Sequence, residues 1–144
     1  MIKTDIFFRE CKQSDMEEVI EILQAISVFK PSQSNYLSIW DNFCKQQNTY
    51  SLVAIIDNKI IGYGALVIEK KIRGGKVGHV EDIVTHPNYK KKGIGKLIVD
   101  SLYEIAEKED CYKLTLQCKE QNVEFYKKCD YEVSGVAMQR FIKL

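Results

Sequence analysis

The stretch Gly78–Lys96, GHVEDIVTHPNYKKKGIGK, constrains this chain more than any other. It opens as a half-buried strand carrying two adjacent carboxylates, Glu81 and Asp82. It then runs through a basic, glycine-containing turn, Lys90-Lys91-Lys92-Gly93-Ile94-Gly95-Lys96, straight into a long helix. Ile94, Leu97, Ile98, Leu102, Ile105 and Ala106 recur at helical spacing, so that helix has one apolar face to lay on a sheet. The first amides of a helix have no partner within it and point outward at its positive end, where phosphate binds. Carboxylates just upstream put acid–base chemistry beside that place. The combination points to a group-transfer enzyme with a phosphorylated cofactor.

The rest of the composition sets bounds. A chain of 144 residues fits one domain, here the whole of 1–144, able to bury about two-thirds of the surface its unfolded form exposes. Lys and Arg number 21 against 20 Asp and Glu, so no overall basic field exists to attract nucleic acid or an anionic membrane. The amino terminus lacks the apolar core of a secretory signal, and no apolar run is long enough to span a bilayer. The five cysteines are odd in number and form no CxxC pair, which implies free, mostly buried thiols in a reducing, cytoplasmic setting. The two histidines, His79 and His86, are too few and badly spaced for a metal site.

No linker, repeat or low-complexity segment divides the chain. Strands are expected at Ile2–Arg9, Ser51–Ile56, Lys59–Ile68, Lys76–Thr85, Cys111–Gln117 and Glu132–Ile142. Asp57-Asn58 marks a hairpin between the second and third of these, and Gly74-Gly75 another turn. Helices are expected behind a capping box at Ser14–Glu17, with Met16, Val19, Ile20, Leu23 and Ile26 as its stripe, then at Tyr36–Lys45, Gly93–Lys108 and Asn122–Lys128. This order predicts an α+β fold: a central mixed, mostly antiparallel sheet with helices on both faces.

The basic turn has no third glycine for a dinucleotide fingerprint, and no GxxxxGK followed by Ser or Thr for a Walker loop. Alone it could be a solvated basic turn, and Glu81-Asp82 an exposed acidic pair. A strand followed by a basic or amide residue, two further residues, Gly-x-Gly and an amphipathic helix resembles the acyl-CoA-binding motif of the GNAT acetyltransferases, with Lys90 where Gln or Arg is usual. Asn122 and Tyr126, four residues apart on one helix face, are similar to the next motif of that superfamily. GHVEDIVTHPNY, GIGKLIVDSL, CYKLTLQC and NVEFYKKCDY together resemble the eukaryotic glucosamine-6-phosphate N-acetyltransferase family over nearly the whole chain.

The resemblance implies the GNAT acyltransferase fold, acetyl-CoA as co-substrate, no metal, and glucosamine 6-phosphate as acceptor, on the way to UDP-N-acetylglucosamine. It assigns catalysis to Asp82, Glu81 and Tyr126. Cofactor contacts fall to Ile83, Val84 and Thr85, to Lys90, Lys91, Lys92, Gly93, Ile94, Gly95 and Lys96, and to Asn122 and Tyr126. Sugar-phosphate contacts fall to Ser27, Lys71, Arg73, Glu81, Asp82, Tyr112, Lys113 and Arg140. Asp130 stands where members usually have glycine, in a turn that Asp can adopt. Gln117 stands where many have a carboxylate. Members form intertwined homodimers, and the closing VSGVAMQRFIKL could pair with a partner or within its own sheet. Two other readings remain open: a GNAT acting on another small amine or a protein amine, and a non-catalytic acyl-CoA-binding regulatory module. Retention of Asp82 and Tyr126 argues against the second, and the basic candidate residues argue against a polyamine.

Overall fold

A computed structural model describes residues 5–143. The elements run β1 (Phe7–Glu10), α1 (Met16–Leu23), α2 (Tyr36–Cys44), β2 (Thr49–Ile56), β3 (Lys59–Lys70), β4 (Lys76–Thr85), α3 (Ile94–Lys108), β5 (Lys113–Thr115) and α4 (Val123–Lys127). The five strands form one sheet in sequence order. Every neighbouring pair is antiparallel except β4 and β5, which α3 joins as a parallel crossover. The mixed, mostly antiparallel sheet therefore stands as expected. At the β2–β3 hairpin Asp57 and Asn58 both take positive φ, 49° and 64°, as a two-residue turn matched to strand twist requires.

Successive residues of a strand point to opposite faces, and β2 is apolar at every one of its last four positions. Val53 and Ile55 enter one core with Val19 and Ile22 of α1; Ala54 and Ile56 enter the other with Ile94, Ile98 and Leu102 of α3. The sheet is thus covered by α1 on one face and α3 on the other. Gly64 of β3 lets α3 settle close to the sheet: a side chain there would meet Ile98 at 2.6 Å and Ile83 at 2.7 Å.

Four expectations change. The first strand begins at Phe7 rather than Ile2, and residues 2–4 lie outside the described residues. The capping box at Ser14–Glu17 gives way to Asp15. Its buried carboxylate accepts from the Lys12 N–H at 2.7 Å and from Arg9 Nη1 and Nη2 at 2.6 and 2.9 Å. A side chain that already closes the turn before the helix leaves Ser14 no such role. Of the free thiols only Cys129 is buried; Cys11, Cys111 and Cys118 are half-buried and Cys44 is exposed.

The fourth change is larger. Glu132–Ile142 forms no strand, and Val133, Val136, Met138, Phe141 and Ile142 stand 71–92% exposed. A strand exists only where a neighbour accepts its ladder, and this segment reaches none among the described residues. Its apolar pattern is present without a pairing to fix it.

Candidate functional site

The site begins with a misfit between two strands. Tyr63 pairs with Val84 and Ala65 with Glu81, so Gly64 alone stands opposite two residues, Asp82 and Ile83. This is a β-bulge, and Asp82 takes φ 55° within it, a left-handed conformation that Asp tolerates better than most side chains. The extra residue resets the alternation. Val80 and Ile83 both pack on the α3 side, while Val84 packs on the α1 side and Glu81 pairs with Ala65 of that same core. Regular alternation would have sent Asp82 beneath α3. The bulge instead places it beside Tyr63, at the edge of an apolar cavity of about 320 Å³ between α1 and α2 that Phe29, Trp40 and Phe43 also line. Asp82 as a residue remains solvent-exposed, but those apolar surroundings partly desolvate its carboxyl and raise its pKa above the ordinary carboxylate value.

The second misfit is between β4 and β5. They pair only through Val77–Lys113, Gly78–Leu114 and His79–Thr115; beyond His79 they part. The expected strand Cys111–Gln117 is cut to Lys113–Thr115, and its far end, Leu116 and Gln117, becomes a wall. Between the parted segments lies a cleft of about 600 Å³. Val80 to Thr85 line one side and Leu116 to Lys119 the other, with Gln121, Asn122 and Tyr126 near its end and Ala25 and Ile26 at its rim. Past His79, the edge of β4 that faces β5 has no ladder partner among the described residues, so amides at Ile83–Thr85 on that edge are open to a ligand.

The remaining cofactor candidates follow in the turn from β4 into α3, with the Ile94 side chain buried in the core. Lys90 lines the cleft directly. Gly93 caps α3 with φ 80°, a conformation open to glycine and strained for other residues. Leu97 N–H donates to the Gly93 carbonyl at 3.1 Å, leaving the amides of Ile94, Gly95 and Lys96 without helical acceptors. Gly95 makes room for the Phe125 ring, which a side chain would meet at 3.1 Å; its role includes packing as well as access. The lysines are spread out: Lys92 Nζ sits 5.3 Å from the Tyr89 ring centre, Lys96 bonds Asp100 at 2.7 Å, and Lys91 takes φ 63°. Tyr126 is half-buried between Phe125 and Tyr131, with ring centres 4.9 and 5.9 Å away. Burial first, and then Cys118 and Cys129, push its pKa up to about 12. At neutral pH its hydroxyl is therefore a proton donor.

Lys71, Arg73, Tyr112 and Lys113 come together around a second cleft of about 470 Å³ at the β3–β4 turn and the start of β5. His79 and Thr115 also line it; sequence reasoning treated His79 only as a failed metal ligand. Its place two residues before Glu81, on the same strand face, was the available signal. Ser27 is exposed, one residue beyond the Ile26 that borders the main cleft. Arg140 lies on the exposed terminal segment and lines neither cleft. Gln117 lines the main cleft as a neutral amide. Asp130 adopts φ 68°, and the Tyr131 N–H closes α4 on the Tyr126 carbonyl at 3.0 Å, so the turn forms without glycine. No helix among the described residues is long and apolar enough to cross a membrane.

Residues 16–131 match the acetyltransferase (GNAT) family model. The chain is 38% identical to a Dictyostelium discoideum protein named glucosamine 6-phosphate N-acetyltransferase 1, over 99% of this chain and 94% of that one. It is 32% identical to the Candida albicans glucosamine 6-phosphate N-acetyltransferase, over 96% and 97%. Among solved structures, the Arabidopsis thaliana glucosamine-6-phosphate N-acetyltransferase superposes with a TM-score of 0.89 at 26% identity, covering 96% of this chain and 99% of that one.

Proposed function

The chain belongs to the acetyltransferase (GNAT) family, and on that premise we infer that it moves the acetyl group of acetyl-CoA to the amine of D-glucosamine 6-phosphate, giving N-acetyl-D-glucosamine 6-phosphate and CoA. The observation that carries this reading is the cleft between β4 and β5. The bulged Asp82, the open β4 edge, Lys90 and Tyr126 all border it, and the named relatives match over nearly the whole chain.

The chemistry follows from that arrangement. The unpaired amides at the start of α3, with Lys90, Lys91, Lys92 and Lys96 around them, suit a pyrophosphate. Asn122 and Tyr126 border the far end of the cofactor's path. Glu81 and Asp82 orient the acceptor ammonium, and the carboxyl of Asp82 takes its proton onward to water. The freed amine attacks the thioester carbonyl directly, in a complex holding both substrates. The Ile83–Thr85 amides meet the negative charge that develops on the carbonyl oxygen. As the carbon–sulfur bond breaks, the Tyr126 hydroxyl gives its proton to the departing thiolate, and the second proton released by the new amide nitrogen restores it through water. Such acid–base assistance contributes roughly a hundred- to ten-thousand-fold.

Lys71, Arg73, Tyr112 and Lys113 supply fixed donors for the sugar phosphate, Arg73 able to engage it through two bonds and the lysines as point charges. Ser27 and Arg140 join them in a homodimer in which the terminal segment of each chain completes the other's site; the exposure of that segment supports this. The setting is cytoplasmic amino-sugar metabolism leading to UDP-N-acetylglucosamine. Thiol release from acetyl-CoA, measured against a panel of amines, tests the substrate. Turnover should be strong with glucosamine 6-phosphate and fall steeply with unphosphorylated glucosamine; equal turnover of the two would sink the role of the basic cleft.

A further inference from the structure

His79 sits at the apex of the split between β4 and β5, since its pairing with Thr115 is the last before the strands part. Both of its ring nitrogens are engaged. Nδ1 lies 3.1 Å from Thr115 Oγ1 on β5, and Nε2 lies 2.9 Å from Glu69 Oε1 on β3. The same Glu69 oxygen lies 3.1 Å from Lys71 Nζ. One imidazole therefore ties three adjacent strands together and ends on a lysine of the basic cleft, which His79, Lys71, Lys113 and Thr115 all line. The Glu69 carboxyl is held below the ordinary range, by the His79 bond first and the Lys71 bond second.

The face and the spacing fit the acceptor. His79 and Glu81 are two residues apart on one face of β4, about 7 Å along the strand, roughly the reach of a hexosamine from its C2 amine to its C6 phosphate. A sugar whose amine meets Glu81 and Asp82 thus carries its phosphate to the level of His79. With both nitrogens occupied, the imidazole has no donor left for that phosphate. What it can do is fix the groups around it. Glu69, Lys71 and His79 are all partly exposed, with side chains 46%, 43% and 37% accessible. Such bonds add little to stability, so their consequence is placement.

We propose that His79 is a positioning residue for the sugar phosphate, holding Lys71 in place through Glu69 at the point where β4 and β5 separate. The proposal rests on glucosamine 6-phosphate being the acceptor. A long lysine that must be ordered at each binding event weakens binding about two- to tenfold, and that is the loss expected when His79 is removed.

Steady-state kinetics on the full chain, with KM measured separately for each substrate, test it. His79→Ala should raise KM for glucosamine 6-phosphate by that factor and leave KM for acetyl-CoA and Tm unchanged. His79→Gln, whose amide nitrogen can still donate to Glu69, should recover most of the loss. His79→Asn, which reaches Thr115 but falls short of Glu69, should behave like His79→Ala. An equal rise in both KM values, rescue by Asn rather than Gln, or no change in either constant overturns the proposal. Comparing glucosamine with its 6-phosphate keeps the two readings apart. A wild-type protein that ignores the phosphate refutes the acceptor assignment, whereas a wild-type preference that persists undiminished in His79→Ala refutes only the role of His79.

Discussion

Asp82 shows how much a single backbone position decides. As an amino acid in a sequence it is half of an acidic pair that could lie anywhere on a surface; in the bulge, with φ 55°, it borders both the cleft and the apolar cavity under α1. Because burial raises its pKa, it takes up a proton at a higher pH than an ordinary carboxyl does. The acid limb of kcat/KM, which reports the free enzyme, should therefore lie above the usual carboxylate range, with activity present above it and lost as pH falls through it. In Asp82→Asn that limb should vanish; a limb that stays would remove Asp82 from proton transfer. Asp15 behaves in the opposite sense. Arg9 first, and then the Lys12 N–H, hold its pKa below the ordinary 3.8. Its stabilising contribution is complete above that value and disappears as pH falls through the lower native one. Asp15→Ala should cost roughly 2–3 kcal/mol by urea unfolding at neutral pH, near the low end for breaking a buried pair because Arg9 stays partly solvated. That residue was legible only as part of a helix start; its two-pronged bond to Arg9 depends on where β1 ends.

At the scale of elements, strong periodicity was readable and pairing was not. The helix α3, the β2–β3 hairpin and β4 fell where hydrophobic spacing and turn chemistry put them, although Leu97 of the expected stripe is exposed and Val99 is buried in its place. β5 did not, because a strand is defined by its neighbour, and β4 leaves it after three residues. Of the length the sequence assigned to strand and the structure leaves outside β5, Leu116 and Gln117 are wall of the cleft. The turn into α3 was read correctly as a helix start with open amides, although the reason for each glycine differs: Gly93 for its φ of 80°, Gly95 also for Phe125. Putting a side chain at the first costs about 1–2 kcal/mol in that conformation. Gly93→Ala should raise KM for acetyl-CoA by around tenfold, since 1.4 kcal/mol is a factor of ten, and leave KM for glucosamine 6-phosphate unaffected. A change in the sugar constant alone would place the pyrophosphate elsewhere.

For the molecule as a whole, the two faces of the sheet divide the candidate groups. The α3 face carries the glycine turn proposed for the pyrophosphate, the α1 face carries the carboxylates and the basic cleft, and the split between β4 and β5 joins them. The exposed Val133, Val136, Met138, Phe141 and Ile142 form an apolar stretch of the kind that marks an interface. Sedimentation should find a dimer for the full chain and a monomer after removal of residues 132–144, with KM for glucosamine 6-phosphate raised as Arg140 is lost; a truncated chain that remains dimeric would contradict the exchange of terminal segments. The sequence by itself determined most of the elements and where its carboxylates, lysine–glycine turn and Asn–Tyr pair fall along them, because hydrophobic period and turn residues are local properties of a chain. Only the tertiary structure decided that β4 bulges at Asp82, that β5 parts from β4 after His79, that His79 bridges Thr115 and Glu69, and that the segment Glu132–Ile142 pairs with no strand among the described residues. Each of these turns on which backbone groups meet across the sheet, and hydrogen-bond partners far apart in sequence are not encoded in any local pattern.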